Sequence, residues 1–256
     1  MLERNRMQAD SPLVTKIVPS PNMGPRKTER RPSLLMLHYT GMKNGAEALA
    51  LLTNPLSEVS CHYLVWEDGR IFQLVPEAAR AWHAGKGSWK GESDINSHSI
   101  GIEIVNGGHA QGLPPYPPAQ IEAVIALCKD IMTRHGMPAH HLLAHSDTAP
   151  TRKEDPGEHF PWSLLAQHGL GLWPDPPPLQ SASPPTYQAG DEGPPIRALQ
   201  TLLSVIGYPA QITGVYDPLT EHIMRAIQRR YRPQAITGRA DADTLALLKA
   251  LLASSS

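Results

Sequence analysis

"LLMLHYT", residues 34–40, is a short apolar run closed by a histidine. Apolar residues in a stretch of this length, without polar alternation, fit a strand covered on both faces. Further strand signals lie downstream. "HYLVW" (62–66) and "RIFQLV" (70–75) bracket Asp68-Gly69, a strong hairpin turn pair, and "IGIEIVN" (100–106) reads as another strand. "LLAH" (142–145) is a second apolar run that ends on a histidine. Between the last two, Ile121, Val124, Ile125, Cys128, Ile131 and Met132 recur at helical spacing. Pro117 and Pro118 supply a start signal there, and Gly136 and Pro138 a stop. Helical alternation also fits residues 46–53. Strands interleaved with helices predict an α/β fold with a mixed central β-sheet flanked by helices.

Residues 174–195 read "PDPPPLQSASPPTYQAGDEGPP", with eight prolines in 22 residues, a composition that cannot enter a ladder or a helix interior. The predicted organisation is therefore a first domain over 13–173, a proline-rich linker over 174–193 and a small three-helix domain over 194–253. In the last, Ile196, Leu199, Leu202, Leu203 and Ile206 form one apolar stripe, closed by Gly207 and Pro209. The next two helices share a prefix: "TGVYDPLT" (213–220) and "TGRADADT" (237–244) both read TGxxDxxT. Each gives a glycine turn and then an N-cap, Asp217 or Asp241, whose carboxylate can accept from first-turn amides.

The length of 256 residues suits one large or two modest domains. With 41% hydrophobic and 18% charged residues the chain is globular, and 23 basic against 24 acidic side chains give no electrostatic case for nucleic acid. No stretch approaches the ~18 uninterrupted apolar residues of a membrane span. Neither an export signal nor a lipid-bearing cysteine is visible near the N-terminus, so the expected compartment is the cytoplasm, with periplasm or cell envelope as the alternative. Twelve histidines against two phenylalanines direct the search for chemistry to imidazole. Cys61 and Cys128 lie in apolar segments without a CxxC pattern and read as small buried hydrophobes.

A lone histidine at a strand end is more often structural than catalytic. His38 and His145, however, close two apolar strands, and Asp155 follows in "KEDPG", where Pro156 restricts the backbone just behind the carboxylate. Two imidazoles and one carboxylate suit tetrahedral zinc, and a catalytic zinc keeps a fourth position open and makes hydroxide available near neutral pH. Glu103 lies in the middle of an apolar strand, where a carboxylate is costly without a partner or a task. It is the candidate proton shuttle, and Lys153 the candidate cation for a developing oxyanion.

Together, "LHYTG" (37–41), "SCHYLVWEDGRIFQLVPE" (60–77), "AWHAG" (81–85), "SIGIEIVN" (99–106) and "AHSDTAPTRKEDPGEHFPW" (144–162) resemble the zinc-dependent N-acetylmuramoyl-L-alanine amidases of the AmpD/AmiD type, bacterial relatives of peptidoglycan-recognition proteins. The resemblance runs over roughly residues 13–173. It implies one zinc ion per chain on His38, His145 and Asp155, with Glu103 and Lys153 catalytic. It also implies a muropeptide groove lined by His62, Tyr63, Trp82, His83, Gly85, Asn96 and Arg152. The reaction implied is hydrolysis of the amide between the lactyl group of N-acetylmuramic acid and L-alanine, in turnover or recycling of the wall. The C-terminal segment is similar to the three-helix peptidoglycan-binding module, departing from its usual pattern at Ile227-Gln228. Two rival readings are a non-catalytic peptidoglycan-recognition protein and a cysteine peptidase built on Cys61 and His62. The second is disfavoured because adjacent strand residues point to opposite faces.

Overall fold

The computed structural model describes residues 7–29, 31–175 and 185–254, so the middle of the proline-rich segment lies outside the described residues. In chain order the strands are β1 (Lys16–Ile17), β2 (Met23–Pro25), β3 (Leu34–Tyr39), β4 (Tyr63–Val65), β5 (Ile71–Gln73), β6 (Ala79–Ala81), β7 (Ser99–Ile104) and β8 (Leu142–Ala144). The α-helices are α1 (Gly45–Thr53), α2 (Ile95–His98), α3 (Pro118–His135), α4 (His145–Thr148), α5 (Trp162–Gln167), α6 (Pro194–Ile206), α7 (Pro218–Tyr231) and α8 (Ala242–Ser254). The chain divides into two compact units. One holds the described residues up to Gly85 together with Asn96–Leu142; the other holds Lys86–Ile95 and the described residues from Leu143 onward.

The sheet has the order β1-β5-β4-β7-β3-β8 and is mixed, as expected. β3 and β4 run parallel to β7 on either side of it, whereas β4 and β5 form an antiparallel hairpin. Gly69, at φ 84°, supplies the left-handed residue that the turn between them needs. β3 is buried along its apolar length, which is why its sequence shows no alternation. One face carries a cluster of Ala48, Leu52, Cys61, Leu64, Phe72, Leu74 and Val105, where α1 packs on the sheet. Asn44 caps α1 by accepting from the Glu47 amide at 2.9 Å. The long helix α3 starts behind Pro117, and at its end the Met137 amide turns back to the Met132 carbonyl at 2.8 Å around Gly136 in the left-handed region. Its buried Gln120 donates to the carbonyls of Val65 and Val105, tying the helix to the ends of two neighbouring strands.

β1, β2 and β6 carried no sequence signal. They are two or three residues long, too short for any period to emerge, and β2 ends on a proline at a two-stranded edge with β6.

In the second unit the TGxxDxxT repeat has a physical basis beyond its caps. Asp217 and Asp241 accept from the Thr220 and Thr244 amides at 2.8 and 2.9 Å. A fully buried glutamine from the preceding helix then holds each loop. Gln200 accepts from Gly214 N–H and donates to Thr213, Val215 and Thr220, while Gln228 accepts from Gly238 N–H and donates to Arg239 and Thr244. The two halves thus use the same side-chain lock. Residues 86–95 join this unit through Ser88, whose amide donates to Thr148, and Trp89, whose ring meets Tyr208 edge-on at 5.1 Å. Among the described residues no helix is long and apolar enough to cross a membrane.

Candidate active site

His38 and Glu103 are register partners on the parallel strands β3 and β7, so their side chains leave the same sheet face. His38 is buried, and its Nε2 lies 2.9 Å from Nδ1 of His83. The other His83 nitrogen lies 3.1 Å from Ser99 Oγ, so the imidazole of His83 bridges a candidate ligand and the start of β7. That ring rests directly on Gly101. A Cβ at that position would stand 2.4 Å from His83 Cγ, so the glycine in "IGIEIVN" is required by the ring above it. Asn96 Oδ1 accepts from the amides of His83 and Ala84 at 3.0 and 2.8 Å and so fixes the "AWHAG" backbone.

The residues expected to line a groove divide into two groups. Trp82 is partly exposed, while Gly85 is exposed and adopts φ 60°. Asn96, His62 and Tyr63 are buried and spend their polar atoms inside the first unit. His62 Nδ1 accepts from Gly101 N–H at 3.0 Å, which leaves Nε2 to carry the proton toward the Ala79 carbonyl at 3.1 Å. Burial, then the charge of Arg26, pushes the imidazole down to about 3, so it is neutral at physiological pH. Tyr63 donates to Glu77 at 2.5 Å, and Glu77 is also held by Arg134 and His135.

In the second unit, β8 runs directly into α4 at His145, placing that imidazole at a strand end as its sequence suggested. His145 Nδ1 is 2.9 Å from Asp155 Oδ2, and the Ser146 amide donates to the Asp155 carbonyl at 3.1 Å. The Asp155-Pro156 peptide is cis. Lys153 is half-buried, its amide donating to Ala149 at 3.0 Å, and the exposed Arg152 donates through Nε to the Lys86 carbonyl at 3.0 Å.

One ligand atom from each of His38, His145 and Asp155 lies within 4.8 Å of the other two, and all three side chains are buried. Two imidazoles and one carboxylate are a donor set that zinc accepts. By contrast, burial, reinforced by the Glu103 charge, pushes the Cys61 thiol well above its ordinary value, so it is no thiolate nucleophile.

Four residues around this chemistry were not read from the sequence. Ser99 bonds His83. Asp147, two residues beyond His145, is fully buried and accepts from the Ala144 amide, Tyr208 and Arg230. Only the position of Asp147 so soon after a candidate ligand hinted at a role, since its partners lie 61 and 83 residues away.

The chain resembles known proteins in sequence and in fold. The family described as N-acetylmuramoyl-L-alanine amidase matches residues 28–158, and the one described as "Putative peptidoglycan binding domain" matches 192–248. N-acetylmuramoyl-L-alanine amidase AmiD of Escherichia coli (strain K12) is 38% identical over 237 residues, covering 87% of this chain and 83% of its own. 1,6-anhydro-N-acetylmuramyl-L-alanine amidase AmpD of Enterobacter cloacae is 33% identical over 163 residues, 57% of this chain and 85% of its own. Among solved structures, E. coli AmiD in complex with the substrate anhydro-N-acetylmuramic acid-L-Ala-D-gamma-Glu-L-Lys superposes with a TM-score of 0.76 at 36% identity, over 97% of this chain and 93% of that one. AmpDh3 from Pseudomonas aeruginosa gives 0.76 at 30% identity, over 99% and 98%. The chain belongs to the N-acetylmuramoyl-L-alanine amidase family, in the branch typified by AmpD and AmiD, and carries a peptidoglycan-binding module at its C-terminal end.

Proposed function

We propose that this enzyme hydrolyses the amide joining the lactyl carbonyl of N-acetylmuramic acid to L-alanine, using one zinc ion held by His38, His145 and Asp155. The observation that carries the reading is the buried cluster of those three side chains. When bound, zinc supplies a Lewis acid that polarises the scissile carbonyl and makes hydroxide available near neutral pH. Glu103, beside His38 on the same sheet face, takes the proton released on attack and returns it to the leaving amine. Lys153, two residues before Asp155, pairs its ammonium with the negative charge that develops on the carbonyl oxygen. Trp82, His83, Gly85 and Arg152 are proposed to meet the sugar and stem peptide; His62, Tyr63 and Asn96 support them from beneath.

The relatives that were solved with anhydro-muropeptides suggest soluble fragments as substrate, and the C-terminal module suggests that intact wall is also met. Incubating the full chain with anhydro-muropeptide and, separately, with intact sacculi, then identifying products by mass, tests this. Free stem peptide beginning at L-alanine is expected from the muropeptide. Retention on sacculi with no peptide released from either substrate would instead identify a recognition protein.

A further inference from the structure

Helix α7 of the C-terminal module presents consecutive arginines, Arg229 and Arg230, to the two segments that carry the second-unit ligands. Arg230 is buried and its guanidinium bonds the fully buried Asp147 carboxylate. The second Asp147 oxygen accepts from Tyr208 at 3.0 Å, and Asp147 in turn holds the Ala144 amide at 2.8 Å, immediately before His145. The Arg230 guanidinium also lies over the Trp162 ring at 4.0 Å. Arg229 pairs with Glu154 at 2.7 Å and with Glu158 at 3.3 Å, on either side of Asp155.

The two arginines differ in weight. Glu154 is half exposed, so water and salt screen its pair. Asp147 and Arg230 are both out of water, and removing one leaves the other charged and buried without its counterpart. The turn that aims His145 is therefore fixed from α7, by a contact 83 residues distant in sequence. A module matched to peptidoglycan binding thus has a second task that wall affinity does not require.

We infer that Arg230, acting through Asp147 with Tyr208 in support, is a positioning residue for His145, so that the C-terminal module forms part of the scaffold of the metal site. The inference rests on the zinc reading above. Groups that hydrogen-bond a ligand directly typically govern metal affinity by about 10–100-fold, and Arg230 acts one step further out, through Asp147 and the Ala144 amide.

The test uses the full chain and measures the zinc dissociation constant by competition with a chromophoric chelator, together with thermal unfolding of the metal-free protein. Arg230→Gln is expected to weaken zinc by about 10-fold, the low end of the range for direct partners of a ligand, while still unfolding cooperatively. Arg230→Lys, which keeps the charge, should recover part of that loss. Tyr208→Phe removes one hydrogen bond to Asp147 and keeps the ring, so zinc should weaken a few-fold. Arg225→Gln, on the same helix and paired only within the module, should leave zinc affinity at the parent value. Parent-like zinc affinity in a folded Arg230→Gln overturns the inference, as does a lowered unfolding temperature with unchanged affinity. Should Arg230→Gln fail to fold, Tyr208→Phe decides alone, and unchanged affinity in it overturns the inference. A parent chain that holds no zinc overturns the metal reading itself and this inference with it.

Discussion

His83 Nδ1 stands 2.9 Å from His38 Nε2, and nothing larger than a glycine at position 101 would let it stand there. A histidine ligand is aimed by the partner of its second nitrogen. His83 is thus predicted to orient His38, whatever it also offers to substrate. Replacing His83 by Ala should weaken zinc by about 10–100-fold. Gly101→Ala should act in the same direction, because its new methyl displaces the His83 ring without altering its chemistry. Chelator competition on both variants checks this, and parent-like affinity in Gly101→Ala would contradict it.

Glu103 and Lys153 are assigned to protons and charge, not to metal retention. Glu103→Gln should lower kcat by about 10²–10⁴ with zinc content unchanged. Lys153→Met should cost about 10²–10³ in kcat, again with zinc retained. Metal analysis beside steady-state release of peptide separates these effects from ligand loss. Loss of zinc in Glu103→Gln would move that residue from catalysis to coordination.

Acid should destabilise the fold in two stages. In the unfolded chain His62 titrates near 6.5, but the folded protein depresses it to about 3, so unfolded chains bind more protons between those values. Its contribution is present above 6.5 and is lost as pH falls toward 3. Glu77 behaves likewise one step lower. Burial alone would raise it, but hydrogen bonds from Arg134, His135 and Tyr63 bring it from 4.5 to about 2, and its contribution fades across that window. Urea midpoints measured against pH should therefore fall below pH 6.5 and continue to fall below 4.5. His62→Asn should flatten the upper stage and Glu77→Gln the lower; unchanged slopes would contradict both assignments.

The legible parts of this protein were those written in local spacing. Unbroken apolar runs ending at His38 and His145, the Asp68-Gly69 turn and the proline and glycine bounds of α3 each report their own few residues, and the strands and helix are where they point. The Asp217 and Asp241 caps were equally readable, since an N-cap acts only three residues ahead. What escaped depends on distant pairing. Gln200 and Gln228 look like ordinary polar positions on amphipathic helices until the loops 13 and 9 residues further on fold back onto them. Arg230 reads as a solvated charge near a helix end, the commonest fate of arginine, and only the packing of α7 on α4 turns it into a buried partner of Asp147. His62 and Tyr63, read from the resemblance as groove residues, are both buried, Tyr63 on β4 inside the sheet and His62 just before it, a placement that local spacing does not report.

On the function proposed above, one zinc on His38, His145 and Asp155 is what makes this chain active as an amidase. The direct measurement is peptide release from an anhydro-muropeptide by the purified chain, scored with the metal content of the same samples. The parent should hold one zinc, lose both metal and activity on chelation, and regain both on stoichiometric zinc, while a folded His38→Ala should hold little zinc and release no peptide at matched zinc. Parent-rate release by the chelated chain or by His38→Ala would contradict a zinc-dependent reaction at these residues.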